Sequence, residues 1–138
     1  MVQDSHDEAR ARLAPLAARA DVNEPGVCWE AARRLEQDAT LLGKVLLAAS
    51  RTGRTGTAVA DAAEPEPTVE ELGAALGLFE QMRTQLDRLE TQVVMEARRR
   101  GMDWKHIAPH QGLGSSQAAS QRYQRLMTRL EEIRQGVR

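Results

Sequence analysis

The chain has 138 residues, 41% of them hydrophobic but only 3% aromatic, and a formal net charge of -1. A core so short of rings must be filled by Leu, Val and Ala, which pack well between side-by-side helices and poorly as a thick β-sandwich. With a mean hydropathy of -0.51 and no apolar run near the ~18 to 20 residues of a bilayer span, a membrane-embedded role is excluded.

The first residues, Met1 to Glu8, have neither the basic nor the apolar region of a secretory signal, so a cytoplasmic location is expected. Glu8 to Ala20 has helical composition interrupted by Pro15, which predicts a short or kinked helix with a frayed start. Asp21-Val22-Asn23-Glu24-Pro25-Gly26 is turn chemistry. A long helix is predicted from Val27 to Ala49. Its apolar positions Cys28, Ala31, Leu35, Ala39, Leu42, Leu46 and Ala49 recur in steps of three and four and draw one narrow stripe. The lone Cys28 excludes an intramolecular disulfide and fits a reducing compartment; on that stripe it reads as a small core residue. Trp29, one position off the stripe, belongs at an interface edge. Residues 51–67, RTGRTGTAVADAAEPEP, have no apolar period and are expected to form a flexible linker.

Thr68 and Glu71 have the spacing of a capping box, with Glu70 and Glu71 on the positive end of the helix dipole. The helix that follows is predicted to run to about Arg100. Leu72, Ala75, Phe79, Met82, Leu86, Leu89 and Val93 repeat at alternating steps of three and four along it. Such a seam packs against the first long helix or against a second copy of the chain. Gly101 is placed to supply a left-handed stop. Asp103 can cap a short helix beginning at Trp104, which Pro109 limits. Gly112-Leu113-Gly114-Ser115 is a turn, and a last helix is predicted from Ser115 or Ser116 to about Gln135. The chain thus divides into an N-terminal helical segment (1–50), the linker (51–67), a long packing helix (68–101) and a C-terminal helix-turn-helix with an extended last helix (102–138). The predicted class is all-α, with long heptad-patterned helices.

The stretch GMDWKHIAPHQGLGSSQAASQRYQRLMTRL carries the functional expectation. A DNA-reading pair of helices needs an apolar lock on the first, a glycine turn, and small residues near the start of a second helix whose outer face stays polar. Trp104 and Ile107 can lock. Gly112 and Gly114 can turn, with Leu113 plugging the core. Ala118 and Ala119 permit close approach, and Tyr123 and Leu126 continue the buried face. The candidate DNA-binding residues are then Lys105, Ser115, Ser116, Gln117, Ser120, Gln121, Arg122, Gln124, Arg125 and Thr128. Glutamine can bridge adenine, Ser or Thr can bond a base edge or phosphate, and Arg or Lys can reach guanine or phosphate. Between Arg98 and Arg129 seven basic residues (Arg98, Arg99, Arg100, Lys105, Arg122, Arg125 and Arg129) stand against the single acid Asp103. A local basic patch is what polyanion binding requires, whatever the total charge.

The same stretch resembles a motif of small actinobacterial helix-turn-helix proteins, the small-heat-shock transcriptional regulators. That motif has Trp, then Ile or Leu followed by Ala, a Leu-Gly turn, Ser-Arg-Gln-Ala-Ala, and Arg-Tyr. Here its elements fall on Trp104, Ile107, Ala108, Gly112, Leu113, Gly114, Ser115, Gln117, Ala118, Ala119, Arg122 and Tyr123. The resemblance implies sequence-specific binding of double-stranded DNA. The chain departs from it at Ser116, where the motif often has Arg, at Ser120, where it often has an acid, and at Gln111, a usual apolar turn position.

His106 and His110 have a metal-binding spacing, but Pro109 lies between them and no third ligand is near; they read as polar residues facing solvent or DNA. No phosphate loop, nucleophile–base pair or paired acids stand out, so neither enzyme activity nor a cofactor or metal is expected. The expected protein is a cytoplasmic, nucleoid-associated DNA-binding regulator, dimeric through its long helices. The competing expectation is a helical interaction or adaptor protein, with a degenerate helix-turn-helix, that holds another regulatory protein instead of DNA.

Overall fold

A computed structural model of the chain describes residues 2–20, 23, 26–54 and 66–136. They form helices α1 (Val2–Ala17), α2 (Val27–Arg54), α3 (Val69–Arg99), α4 (Trp104–His110) and α5 (Ser116–Gln135), with no strand among the described residues. The all-α class predicted from the scarcity of rings is the class observed.

Helix boundaries follow local chemistry. Thr68 caps α3: the Glu71 N–H donates to Thr68 Oγ1 at 3.1 Å, and the Thr68 N–H donates to Glu71 Oε1 at 3.2 Å. α3 stops at a Schellman turn. Gly101 takes φ 94°, its N–H reaches Arg98 O at 3.0 Å, and the Met102 N–H reaches Ala97 O at 2.9 Å. α4 ends the same way. Gly112 at φ 71° donates to Pro109 O at 3.1 Å, and Leu113 donates to Ala108 O at 2.8 Å. A side chain at either glycine would be strained in this left-handed region. The Ala118 N–H donates to Ser115 Oγ at 3.1 Å and so starts α5.

Two boundaries differ from the sequence expectation. α1 begins at Val2 and passes through Pro15 to end two residues later at Ala17. α2 continues past Ala49 to Arg54, since Ser50, Arg51 and Thr52 are all compatible with a helix. The start of the expected linker is therefore helical, and its residues 55–65 lie outside the described residues.

The N-cap of α4 makes a pH prediction. Asp103 accepts from the His106 N–H at 2.9 Å and also meets the His106 ring at Nδ1. The His106 side chain first, and its backbone N–H second, hold the Asp103 carboxyl below its ordinary value of 3.8. A carboxylate depressed in the folded state stabilises it fully above the unfolded value and loses that contribution as pH falls through the folded one. Helicity at α4 should therefore be level above pH 3.8 and decline below it. Asp103→Ala should remove this acid step and lower the helicity of α4 at neutral pH. Amide exchange at His106 checks both, and an unchanged acid limb in Asp103→Ala would refute the assignment.

Packing departs from the predicted seams. On α2, Ala31 is buried, and Glu30, Ala32, Leu35, Asp38, Leu42, Val45, Ala48 and Ala49 are half-buried. Cys28, Ala39 and Leu46 are exposed, so the expectation of Cys28 in the core is corrected. The apolar sector of α2 is wide, with Leu41, Leu42, Val45, Leu46 and Leu47 nearly consecutive, and several stripes fit the same spacing. On α3, Thr84, Gln85, Thr91 and Val94 are buried, while Leu72, Phe79, Leu86 and Val93 of the predicted seam are exposed. Burying the threonines is inexpensive: Thr84 Oγ1 donates to Glu80 O at 3.1 Å and Thr91 Oγ1 to Asp87 O at 2.7 Å.

Helix α2 packs along α3, and α5 packs on both α3 and α4. Arg122 meets Glu90, whereas Arg129, further along α5, meets Glu80 and Asp87. Rising numbers on α5 thus match falling numbers on α3, so the two helices run antiparallel. α1 is exposed along residues 3–17, Leu13 and Leu16 included.

Candidate nucleic-acid interface

Four buried side chains, Val94 from α3, Ile107 and Ala108 from α4 and Ala119 from α5, form a small core, with Ala97, Trp104, Leu113 and Tyr123 packed against it. Ala119 is wholly buried, which sets the close approach of α5 to α4; a larger side chain there would overpack. The Trp104 and Tyr123 rings meet at 5.6 Å between centroids, tilted by 44°. The Arg98 guanidinium lies 4.9 Å from the centre of the Trp104 ring. Of the side chains expected to lock, plug and close this unit, Ala118 lies outside, while Trp104, Ile107, Leu113 and Ala119 thus meet in one cluster. It fixes the angle at which α5 leaves the body of the chain.

Leu126 continues the buried side of α5, and Leu130 and Ile133 are half-buried beyond it. The opposite side carries Gln117, Gln121, Gln124, Arg125 and Thr128, all exposed, and Ser116 is exposed at the start of the helix. At about 100° per residue, Gln117, Gln121, Gln124 and Thr128 fall within one narrow sector of that side. No acid occurs on α5 before Glu131. A shallow groove of about 500 Å³ runs beside this sector, lined by Gln121, Gln124, Arg125, Thr128, Arg129 and Glu132. Lys105 is exposed on α4.

Three candidate residues have other employment. Ser115 spends its hydroxyl on the cap of α5. Ser120 is half-buried. Arg122 is turned inward: its Nε donates to Glu90 Oε2 at 2.6 Å and its Nη2 to Glu90 Oε1 at 2.8 Å. Gln111 Nε2 donates to the same carboxylate at 3.2 Å. Glu90 raises the pKa of Arg122 further, because a bidentate carboxylate favours the charged guanidinium. Glu90 thereby ties α3 to the α4–α5 turn and to α5. Its role has no local signal in the sequence, since its partners lie far along the chain.

The basic window is also less open than its composition implies. Arg99 and Arg100 both pair with Glu96, at 2.8 and 2.7 Å. Those two guanidinium groups, Arg100 foremost, hold the Glu96 carboxyl below its ordinary range. Arg129 Nη2 pairs with Glu80 at 2.9 Å, and its Nη1 lies 3.3 Å from Asp87 Oδ2, close enough for attraction though not aligned as a hydrogen bond. Arg98 is held over Trp104. Lys105 and Arg125 are left with no ion-pair partner among the described residues.

Among the described residues no cluster of three or more His, Cys, Asp or Glu side chains is placed to hold a metal ion, and no helix is long and apolar enough to cross a membrane. Comparison of the chain with known protein families, with curated proteins and with solved structures finds no match.

Proposed function

We propose that the chain is a DNA-binding transcriptional regulator, with α4, its glycine turn and α5 as a helix-turn-helix, acting in the cytoplasm on the nucleoid as a homodimer. The observation that carries this reading is the outward side of α5. Gln117, Gln121, Gln124 and Thr128 stand exposed in one sector, flanked by the unpaired Arg125, with no acid until Glu131. A side rich in amide and hydroxyl groups and free of acids suits a major groove, where glutamine can bond adenine in a bidentate manner. Lys105, on the neighbouring helix, suits a phosphate. Glu131 and Glu132 would repel phosphate, which confines the binding surface to the first turns of α5. The resemblance to the small-heat-shock transcriptional regulators supports the same reading.

One observation favours the second reading, an adaptor that binds a regulatory protein through its helices. The pairing of Arg99, Arg100, Arg122 and Arg129 with acids of α3 leaves few cations for phosphates. A mobility shift with random genomic fragments, run from low to moderate salt, separates the two. The DNA reading expects a complex at low salt whose affinity falls with a log–log slope of about -0.9 for each phosphate neutralised. Folded protein that shifts no fragment at low salt would favour the adaptor.

A further inference from the structure

One carboxylate ties three helices together. Glu90 of α3 accepts from Arg122 Nε at 2.6 Å and Arg122 Nη2 at 2.8 Å, and Gln111 Nε2 donates to it at 3.2 Å. Gln111 is the C-cap of α4, and Arg122 lies in the second turn of α5. Gln111 Oε1 is buried with no hydrogen-bond partner among the described residues, so the bond to Glu90 is what holds that side chain. The ion pair is partly open to solvent, with 40% of the Arg122 side chain and 33% of Glu90 exposed. Pairs so placed contribute little to stability. What this one supplies is geometry, because a planar guanidinium on a planar carboxylate fixes separation and orientation together.

The apolar cluster alone leaves the roll of α5 about its own axis weakly held. Ala119, at its centre, presents only a methyl group, which offers little resistance to rotation. At about 100° per residue, Arg122 stands about 60° around α5 from Ala119 and about 100° from Tyr123. Gripped on that flank as well, the helix cannot turn about its axis without breaking two aligned hydrogen bonds. The roll decides which way Gln117, Gln121, Gln124 and Thr128 point. We propose that Glu90 is a positioning residue for DNA reading: it fixes the roll of α5 through Arg122, registers the turn through Gln111, and so governs sequence discrimination without touching DNA. This rests on the proposed reading role of α5 and adds that its selectivity is set from α3.

The test uses the full chain and begins without DNA. Residual dipolar couplings of the α3 and α5 amides should show α5 turned relative to α3 in Glu90→Gln by more than about 10°, the tolerance of a binding constellation. An unchanged orientation overturns the proposal. Two duplexes follow, one selected by the wild type from random genomic fragments and one of random sequence. Glu90→Gln should lower the ratio of the two affinities about tenfold, the worth of one bidentate base contact. Binding to the random duplex at low salt should not weaken, since an acid has been removed. Equal weakening on both duplexes would mark a purely structural role and overturn the proposal. In an Arg122→Ala background, Glu90→Gln should change the ratio no further, because members of one network are not additive; an additive fall overturns the route through Arg122. Should Glu90→Gln melt the unit, Arg122→Lys decides. It keeps the charge but gives up one of the two aligned bonds, and should lower the ratio with a melting profile near that of the wild type; a wild-type ratio overturns the proposal. If the wild type binds neither duplex, the reading role of α5 fails, and the dipolar couplings still decide whether Glu90 positions the helix.

Discussion

Replacing Trp104 by alanine is expected to unfold the α4–α5 unit, at a cost of about 3 kcal/mol, the lower end for removal of a packed aromatic side chain. The ring is half-buried, which keeps the figure low, but it joins three elements. It packs against the cluster of Val94, Ile107, Ala108 and Ala119, meets Tyr123 at 5.6 Å and carries the Arg98 guanidinium at 4.9 Å. Among the described residues few other apolar side chains are buried, so no neighbouring core compensates. Native-state amide exchange should show protection lost across 104–126 while 75–89 of α3 keeps most of its own. Trp104→Phe should retain most of the stability, because a ring remains beneath Arg98. A wild-type melting profile for Trp104→Ala would show that the cluster does not hold the unit.

Changes on the outward side of α5 and at the flanking cations should differ in kind. Gln117→Ala or Gln121→Ala should cost about 1–3 kcal/mol on the preferred DNA site and relax specificity there, because a bidentate hydrogen bond to a base carries sequence information. Lys105→Ala or Arg125→Ala should weaken binding to all sequences alike and reduce the salt slope by about one unit for each phosphate no longer neutralised. Arg122→Ala belongs to neither group. Its guanidinium is committed to Glu90, so it should lower stability and alter binding only as far as α5 tilts. Fluorescence anisotropy at two or more salt concentrations distinguishes the three patterns. An equal weakening for Gln121→Ala on specific and random duplexes would remove α5 from the role of reading helix.

The helix starts and stops at Thr68, Gly101, Asp103, Gly112 and Ser115 were legible in the sequence by itself. So were the all-α class and the group Trp104, Ile107, Leu113, Ala119 and Tyr123. A cap or a left-handed stop is settled by groups within about four residues of one another, and the C-terminal cluster is dense in residues with one structural use each. Two matters were decided only by tertiary structure. The first is the rotation of the long helices. Their apolar sectors are wide enough that stripes one position apart fit equally well, and only the docking of α2 and α5 determined that Val45 turns inward and Leu46 outward, and that Phe79 and Leu86 are left bare. The second is the state of the basic window. Arg122 meets Glu90 across 32 positions and Arg129 meets Glu80 across 49. A count of charges along the chain cannot register such pairs, because attraction between side chains depends on their distance in space and not on their separation in sequence.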